Sequence, residues 1–460
     1  MLRIFGKKYP LRKLILFFGE GFFLFFTLYY IYISQSSIVN SYDLFDIAIR
    51  ISIAVFVCLL SLYYFDLYTF KYGYSYLEMT TRLFQAIGSA CIFLGCFYFL
   101  FPRFIPGRWV FLKEVFAFIV FSSLWRYLYI WFLRHDIGSK PVLVIGQGSA
   151  IKDLLEEIHS NRDCGYTIKG LLVPDDDTGF NKTDVPTWKG FRNVPNKAKE
   201  LHVDEIIVAI EEKRGTLPIN ELLACKMKGL SIIDGETFIE NISGKIAVDS
   251  INPSWLIFKE GFQKSRTTML GKQLTGSFFA LVGLLLSLPV SLLVAILIKL
   301  ESEGPIFFRQ ARVGKDGKIF TLVKFRSMRT DAEKDGAKWA KKDDDRVTKV
   351  GRVIRKLRID EIPQMWNVLK GDMNFVGPRP ERPEFVEKLR KKIKYYDQRH
   401  TVKPGITGWA QINYPYGASI EDAKKKLEYD LYYIKHMSVL LDLYIILKTV
   451  KIILFREGSR

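Results

Sequence analysis

Four long apolar runs open this chain and restrict what its first third can fold into. Each is close to the ~20 residues that an α-helix needs to cross a bilayer. The runs cover residues 14–33, 44–65, 83–101 and 109–133. Asp46, Arg50 and Arg126 interrupt them, and such charges are tolerated where helices pack on one another or end near the interface. The pattern predicts a transmembrane four-helix bundle over residues 1–135.

The distribution of basic residues predicts which side of the membrane each loop faces. Basic residues at positions 3, 7, 8, 12 and 13 favour an N-terminus in the cytoplasm. The first loop, residues 34–43, has no Lys or Arg, as expected on the outer side. Four further basic residues agree with this orientation: Lys71, Arg82, Arg134 and Lys140. Arg103 and Arg108 in the third loop oppose it.

The charge balance indicates an anionic partner. Lys and Arg number 67 against 48 Asp and Glu, a formal net charge of +19. Acidic lipid, phosphorylated substrate or nucleic acid would suit this excess, but nucleic acid is disfavoured because no nucleic-acid module is recognisable in this membrane-bound chain. The five cysteines form no C-x-x-C pair, which favours a reducing compartment and predicts neither disulfides nor structural zinc.

Strand-like and helical segments alternate between residues 140 and 245, which predicts a small, doubly wound, Rossmann-like α/β domain. The strand-like runs cover residues 141–148, where a buried strand enters a glycine turn, and residues 168–173, 205–209 and 230–233. Gly146 and Gly148 begin a dinucleotide fingerprint, but Ile151 occupies the place of its third glycine. A scaffold or regulatory domain is therefore favoured over true nucleotide binding.

A fifth apolar run, residues 274–300, follows a predicted linker at 246–273. Both flanks of the run are basic, which favours a re-entrant helix that returns to the same membrane face over an ordinary kinked span. Pro289 removes a backbone hydrogen bond near the middle of the run and bends the helix. Ser287 and Ser291 are placed to bond the freed carbonyls.

Residues 301–460 form the last predicted domain, of α+β type and rich in Lys and Arg. It ends in an apolar stretch at 439–455 that carries Asp442, Lys448 and Lys451. That stretch would either lie in the membrane interface as an amphipathic helix or pack in the domain core.

An adjacent carboxylate pair, Asp360 and Glu361, stands at the end of a basic run in this domain. Helical spacing places Arg352 and Lys356 on a line that Asp360 continues, where they would favour its ionised form. A carboxylate nucleophile must be ionised, and Glu361 could serve Mg²⁺, which binds one or two carboxylates plus substrate phosphates. Alternatively, Asp360 caps a helix predicted at 364–370.

Neighbouring cations favour a phosphate site. Lys324 and Arg326 alternate with Phe325 in a predicted strand, so both would face one side. Arg379 stands between two prolines that restrict its backbone, and guanidinium groups match phosphate oxygens in two contacts.

The segment at 403–413 has the residues of a ligand-binding loop. Trp409 offers a stacking face, and Gln411 and Asn413 offer amide hydrogen bonds, to a base or a sugar. A packed structural loop is equally consistent with the sequence. His400 and His436 lack metal-ligand spacing and are predicted to be structural.

Several motifs in one order give residues 270–455 a close resemblance to the bacterial sugar transferases that move a sugar-1-phosphate onto a polyprenyl phosphate, the monotopic phosphoglycosyl transferases. The motifs are GPIFFRQ (304–310), KFRSM (324–328), DEIPQ (360–364), GPRP (377–380) and KPGITG (403–408). The four-span start and the α/β domain resemble the long form of this family. Residues 414–419 and 429–433 resemble its exosortase-associated exopolysaccharide subgroup.

The resemblance implies a two-step reaction on the cytoplasmic face of the bacterial inner membrane. Asp360 matches the nucleophile that attacks a UDP-sugar and expels UMP, after which undecaprenyl phosphate attacks the sugar-phosphoryl aspartate. Glu361 matches a Mg²⁺-binding position, and Asp430 a further acidic position. The implied phosphate-side cations are Lys324, Arg326, Arg379 and Arg309.

Three further features come from the same resemblance. Ser287 and Pro289 match the break of the family's re-entrant helix, and long-form relatives imply a possible homodimer. Many members continue Gly-Arg after Asn413, whereas Tyr414 and Pro415 follow here, so the sugar and the cation that meets the nucleotide there stay open.

Two rival functions follow from the residues themselves. An oxidoreductase built around residues 140–245 would need a complete glycine fingerprint, which is absent. A transport or scaffold protein for polysaccharide assembly would give Asp360 no role beyond folding.

Overall fold

The structure is a computed structural model that describes the whole chain except for short segments. The segments outside the described residues are 1, 36–42, 69–75, 136, 161–163, 176–184, 193, 211–216, 250–259, 333–343, 415–416, 418 and 456–460. Most of the first loop, with Lys71 and Pro415, therefore lies outside them. The chain divides into two compact units, Met1–Ser243 and Gly244–Arg460.

The four predicted apolar helices are present in the first unit and share one core. They are α1 (Leu11–Ile33), α2 (Leu44–Tyr64), α3 (Tyr76–Leu100) and α4 (Arg108–Arg134). All four contribute buried side chains, among them Leu28, Ile51, Ala86 and Phe118. Arg126 of α4 forms a buried ion pair with Glu20 of α1, so this charge joins two helices as expected. With a fifth helix in the second unit, these are long and apolar enough to cross a membrane.

A short hairpin that the sequence analysis did not predict precedes α1. Its strands, β1 (Leu2–Ile4) and β2 (Lys7–Tyr9), pair antiparallel. Lys8 Nζ donates to Tyr166 Oη at 3.3 Å and lies 3.6 Å from Glu205 Oε1. These contacts attach the hairpin to the α/β domain.

The α/β domain has a five-stranded parallel sheet in the order β5-β4-β3-β6-β7. Its strands are β3 (Lys140–Gly146), β4 (Tyr166–Val173), β5 (Thr187–Lys189), β6 (Glu205–Ala209) and β7 (Ser231–Asp234). Its helices are α5 (Gly148–Ser160), α6 (Val194–Glu200), α7 (Ile219–Met227) and α8 (Gly235–Ser243). Helices α5 and α8 pack on one face, and α6 and α7 on the other. The predicted doubly wound domain is confirmed.

Close packing in this sheet explains the first glycine of the incomplete fingerprint. A Cβ atom at Gly146 would lie 2.2 Å from the carbonyl oxygen of Ala209. Glycine is therefore required at this position by the approach of β3 to β6, whether or not a phosphate binds nearby.

The fifth apolar run lies in the second unit, within a single 36-residue helix, α9 (Arg266–Glu301). It starts inside the predicted linker and continues through Pro289, so the structure has no break of the helix there. The Ser287 hydroxyl donates to the Leu284 carbonyl at 3.3 Å. The carbonyl that Pro289 frees is that of Leu285, four residues before it, so Ser287 does not take the expected role.

The remaining elements of the second unit surround α9. The strands are β8 (Phe307–Val313), β9 (Ile319–Phe325), β10 (Asn374–Val376) and β11 (Gly405–Thr407). The helices are α10 (Lys349–Lys356), α11 (Gln364–Lys370), α12 (Pro383–Lys392), α13 (Trp409–Asn413), α14 (Ile420–His436) and α15 (Val439–Phe455). Strands β8 and β9 form an antiparallel hairpin, and β10 and β11 pair in parallel.

The last helix, α15, packs in the second unit, which was one of the two alternatives predicted for it. Leu441 and Ile445 are fully buried, and Asp442 is buried with them. Leu440 and Leu454 on the same helix are more than half exposed. One face of α15 therefore packs in the unit while another presents apolar side chains.

Candidate active site

The carboxylate pair lies on a tight turn between two helices. α10 ends at Lys356, and two residues later Arg358 adopts a left-handed backbone, with φ 57° and ψ 17°. Asp360 and Glu361 follow in a single 3-10 turn, and each is only 8% exposed. The turn brings two carboxylates together beneath the surface.

This geometry corrects two expectations about Asp360. It does not continue the helical line of Arg352 and Lys356, because α10 has ended and the left-handed residue redirects the chain. It does not cap α11 either, since the N-cap residue of that helix is Pro363 and no side chain caps it.

Three cations converge on one oxygen of Glu361. Arg379 Nη2 lies 2.6 Å from Oε1, Arg358 Nη1 lies 3.3 Å from it, and Lys324 Nζ lies 3.7 Å from it. Burial alone would raise the pKa of Glu361, but the charges of Arg379, Lys324 and Arg358 outweigh burial and hold that pKa well below its usual range. Glu361 is therefore a firmly ionised carboxylate.

Asp360 has a different environment. Among the residues that the structure describes, its carboxyl group forms no hydrogen bond and no ion pair. Burial and then the negative charge of Glu361 raise the pKa of Asp360, against the opposing cations Lys324, Arg358 and Arg379. The expectation that neighbouring basic residues favour its ionised form is therefore wrong. With three cations and two carboxylates, the cluster suits an anion.

The β8–β9 hairpin separates the cations that the sequence analysis grouped. Residues paired across an antiparallel ladder share a face, and Lys324 pairs with Phe308 while Arg309 pairs with Val323. Arg309 is thus on the face opposite to Lys324, away from Glu361. Arg312, two alternations beyond Phe308, shares the face of Lys324, and the sequence analysis did not select it.

Arg326 does not join the cluster either. Strand β9 ends at Phe325, and the buried Arg326 guanidinium donates to the carbonyls of Glu303 and Ser302 at 2.7 and 2.8 Å. Arg326 therefore fastens the chain that leaves α9. The expectation that it faces the same side as Lys324 is wrong because strand alternation stops one residue before it.

A buried network holds Arg379 from behind. Arg399 donates to the Arg379 carbonyl at 2.9 Å and to Tyr396 Oη at 2.7 Å, and it forms a 2.9 Å ion pair with Asp430. Asp430 is 2% exposed, and burial raises its pKa to about 6 despite Arg399. The structure places Asp430 behind Arg379 rather than beside Asp360. Arg399 was missed because it lies 31 residues from Asp430 in the sequence.

A second network holds the strand that leads to Arg379. Tyr433 Oη lies 3.0 Å from the Val376 carbonyl oxygen and 2.8 Å from Asp442 Oδ1, and its one proton can be donated to either acceptor. The Lys272 ammonium of α9 pairs with Asp442 and bonds to Tyr433. Both ends of the segment between Val376 and Arg379 are therefore bonded to buried side chains.

The 403–413 segment is a packed loop, which was one of its two predicted alternatives. Trp409 is 5% exposed, donates to the Gly244 carbonyl at 2.7 Å and stacks on Tyr432. Its ring is not available to a base. Gln411 donates to the Ile406 carbonyl at 3.2 Å, and Asn413 donates to the Trp409 carbonyl at 2.9 Å, so these amides also serve the local fold.

The donor atoms of the carboxylate pair are compatible with Mg²⁺. Among the described residues, no group of three His, Cys, Asp or Glu side chains comes together. Mg²⁺ needs fewer, because it takes one or two carboxylates and completes its shell with water and phosphates. The three cations approach Glu361 at Oε1, which leaves Oε2 and the Asp360 carboxyl for such a role.

Two family models match this chain. The model described as bacterial sugar transferase matches residues 267–456, which include the carboxylate pair and both buried networks. The model described as CoA-binding domain matches residues 63–217. The second match covers parts of both the apolar helices and the α/β domain.

Curated relatives align with different shares of the chain. It is 42% identical over 239 residues to an Aeromonas hydrophila UDP-N-acetylgalactosamine-undecaprenyl-phosphate N-acetylgalactosaminephosphotransferase, covering 52% of this chain and 56% of that protein. It is 33% identical to a Komagataeibacter xylinus undecaprenyl-phosphate glucose phosphotransferase, covering 70% and 60%. It is 35% identical to a Klebsiella pneumoniae UDP-glucose:undecaprenyl-phosphate glucose-1-phosphate transferase, covering 73% and 72%. The first two alignments thus span less than two thirds of those relatives.

Proposed function

This chain belongs to the bacterial sugar transferase family, and we propose that it transfers a sugar-1-phosphate from a UDP-sugar to undecaprenyl phosphate with release of UMP. The observation that carries the proposal is the buried pair Asp360 and Glu361 beneath three cations. Phosphoryl transfer depends mainly on positioning and charge neutralisation, which such a cluster supplies.

The reaction has two displacements at one phosphorus. An Asp360 carboxylate oxygen bonds to the sugar-bearing phosphorus, and the bond from that phosphorus to the UMP oxygen breaks, with UMP leaving with the electron pair. A phosphate oxygen of undecaprenyl phosphate then attacks the same phosphorus and releases Asp360. Asp360 is suited to this role because it alone of the two carboxylates is not held by an ion pair within the described residues.

Glu361 and the cations have supporting roles. Arg379 and Lys324 would bind the donor phosphates, and Glu361 orients both cations through its Oε1 atom. Glu361 would also hold Mg²⁺, which when bound neutralises phosphate charge. Approach of a cation would lower the pKa of Asp360 and favour its ionised form.

The packing of α9 supports a re-entrant placement at the membrane. Lys272 and Gly276 near its start and Val294 and Ile298 near its end are all buried within the same compact unit. The apolar side chains of Leu285, Leu286 and Leu288 between them are exposed. Although α9 is continuous, both of its ends pack on one globular body, which supports placing both ends at one membrane face, here the cytoplasmic face of the inner membrane.

The role in exopolysaccharide synthesis and a homodimeric state belong to the same proposal. They come from the subgroup resemblance of residues 414–419 and 429–433 and from the long-form architecture.

UMP release from a set of UDP-sugars tests the proposed activity. We expect Asp360→Asn to insert into membranes normally and to release no UMP, because an amide side chain cannot form the acyl phosphate with the sugar phosphate. Asp316→Asn is the matched control, since Asp316 lies in the exposed β8–β9 turn. Normal UMP release by Asp360→Asn would refute the proposal.

A further inference from the structure

Arg358 occupies a backbone position that does not favour arginine. It follows the end of α10 with φ 57°, in the left-handed region where a glycine commonly ends a helix and where a Cβ atom is strained. Its N–H donates to the Arg355 carbonyl, and its carbonyl accepts from the Glu361 N–H, both at 3.2 Å. Glycine would make the same two bonds, so the turn itself does not require this side chain.

The guanidinium group of Arg358 is the most accessible of the three cations around Glu361. The side chains of Arg358, Arg379 and Lys324 are 38%, 29% and 19% exposed. A guanidinium has five N–H donors, and among the described residues that of Arg358 is bonded to Glu361 Oε1. It therefore retains donors that can reach an arriving anion while it stays beside the carboxylate pair.

The surroundings of Arg358 suit an anion that carries an apolar chain. Ile354 on the inner face of α10 packs with Val294 and Ile298 of the apolar helix α9. Val353 of α10 and Leu357, the residue that follows the helix, are 56% and 37% exposed. Arg358 thus has exposed apolar side chains, near the apolar helix α9, on one side and the reacting carboxylates on the other.

We propose that Arg358 binds the phosphate group of the lipid acceptor, with Val353 and Leu357 against the first part of its apolar chain. This inference rests on the proposed two-step transfer, in which the acceptor enters after UMP has left. Guanidinium–phosphate pairing is bidentate and charge-assisted, so it can hold a mobile lipid phosphate in line with the phosphorus on Asp360. A donor phosphate has the same chemistry, and the two sources are distinguished by separating the half-reactions.

The test uses Arg358→Gly in the full-length protein in nanodiscs. Glycine removes the guanidinium and suits the left-handed backbone, so the variant should fold at least as well as the wild type. Arg358→Lys retains the charge but not the fork. Arg352→Gln is the matched control, because Arg352 is an exposed cation two turns earlier on α10.

Two rates are measured for each variant. The first is the burst of UMP released from UDP-sugar without acceptor, and the second is steady-state transfer against undecaprenyl phosphate concentration. We expect Arg358→Gly to raise the KM for undecaprenyl phosphate about tenfold or more and to reduce the burst by a clearly smaller factor, because Arg358 also contributes positive charge beside Asp360. Arg358→Lys should lie between Arg358→Gly and the wild type, and Arg352→Gln should match the wild type.

Three outcomes would overturn the inference. A burst that falls as much as transfer does would place Arg358 on the donor phosphate. Unchanged burst and unchanged KM would leave Arg358 with a structural role only. A wild-type protein that transfers sugar without any burst would refute the two-step function itself, whatever the variants do.

Discussion

Removal of Arg399 should lower the free energy of unfolding, because Arg399 is the centre of the buried network behind Arg379. In Arg399→Ala, Asp430 loses a cation 2.9 Å away, and the Arg379 carbonyl and Tyr396 Oη each lose a donor. Breaking a buried ion pair by removing one partner costs about 3–5 kcal/mol of folding free energy. We expect a loss of this size at pH 7.5.

Protonation of Asp430 limits that loss and makes it depend on pH. Burial raises the pKa of Asp430 to about 6 even beside Arg399, so protonation costs about 2 kcal/mol at pH 7.5 and almost nothing at pH 6. Without Arg399 the folded-state pKa rises further above the unfolded value. The variant then loses stability as pH rises from 6 to 7.5, and the wild type loses much less. The destabilisation should be about 2 kcal/mol smaller at pH 6.

This difference is measured by unfolding the purified protein with urea in detergent, with proteolysis of the second unit as the readout of unfolding. The matched control is Arg390→Ala, because Arg390 pairs with Asp397 at 2.8 Å but both side chains are about half exposed. That variant should lose about 1 kcal/mol or less, equally at both pH values. An equal destabilisation of Arg399→Ala at pH 6 and pH 7.5 would refute the reasoning.

Three further outcomes are expected. Burial and then the charge of Glu361 raise the pKa of Asp360, so the pH profile of UMP release should have an acidic limb where activity is lost as pH falls through that pKa. Glu361→Gln should move this limb to lower pH, and an unmoved limb would contradict the reasoning. Arg312→Gln should lower kcat/KM for the UDP-sugar about tenfold, because Arg312 shares the hairpin face of Lys324. Arg309→Gln, on the opposite face, should lower it less than about twofold, and equal losses would contradict a difference between the two faces. Trp409→Phe should unfold about 1–3 kcal/mol more easily in urea with an unchanged KM, since its buried hydrogen bond is structural, and a raised KM would restore it as a ligand contact.

Local patterns predicted the elements whose signals are strong along the chain. Apolar runs of about twenty residues and alternating buried strands gave the four helices and the doubly wound sheet, because burial on all sides leaves few alternatives. The sequence predicted that Arg379 and Lys324 belong to one phosphate site near the carboxylate pair, but it did not predict that both contact Glu361.

Features that depend on tertiary contacts were not predictable in the same way. Alternation placed Arg326 with Lys324, but the strand ends before Arg326 and its guanidinium is used to bond α9. For Trp409 the sequence was equally consistent with a ligand contact and with a packed loop, and only the stacking of its ring on Tyr432 decides for the packed loop. No sequence signal links Arg399 to its partners, and helical spacing could not show that Arg358 turns the chain.

The covalent step on Asp360 is the central claim, and it is tested most directly by trapping. The purified protein is incubated with UDP-sugar labelled with ³²P in the phosphate next to the sugar, without undecaprenyl phosphate, and then denatured and digested. We predict label on the peptide that contains Asp360, its absence in Asp360→Asn, and its loss when undecaprenyl phosphate is added before denaturation. Lipid product that accumulates while no peptide carries label would contradict the mechanism.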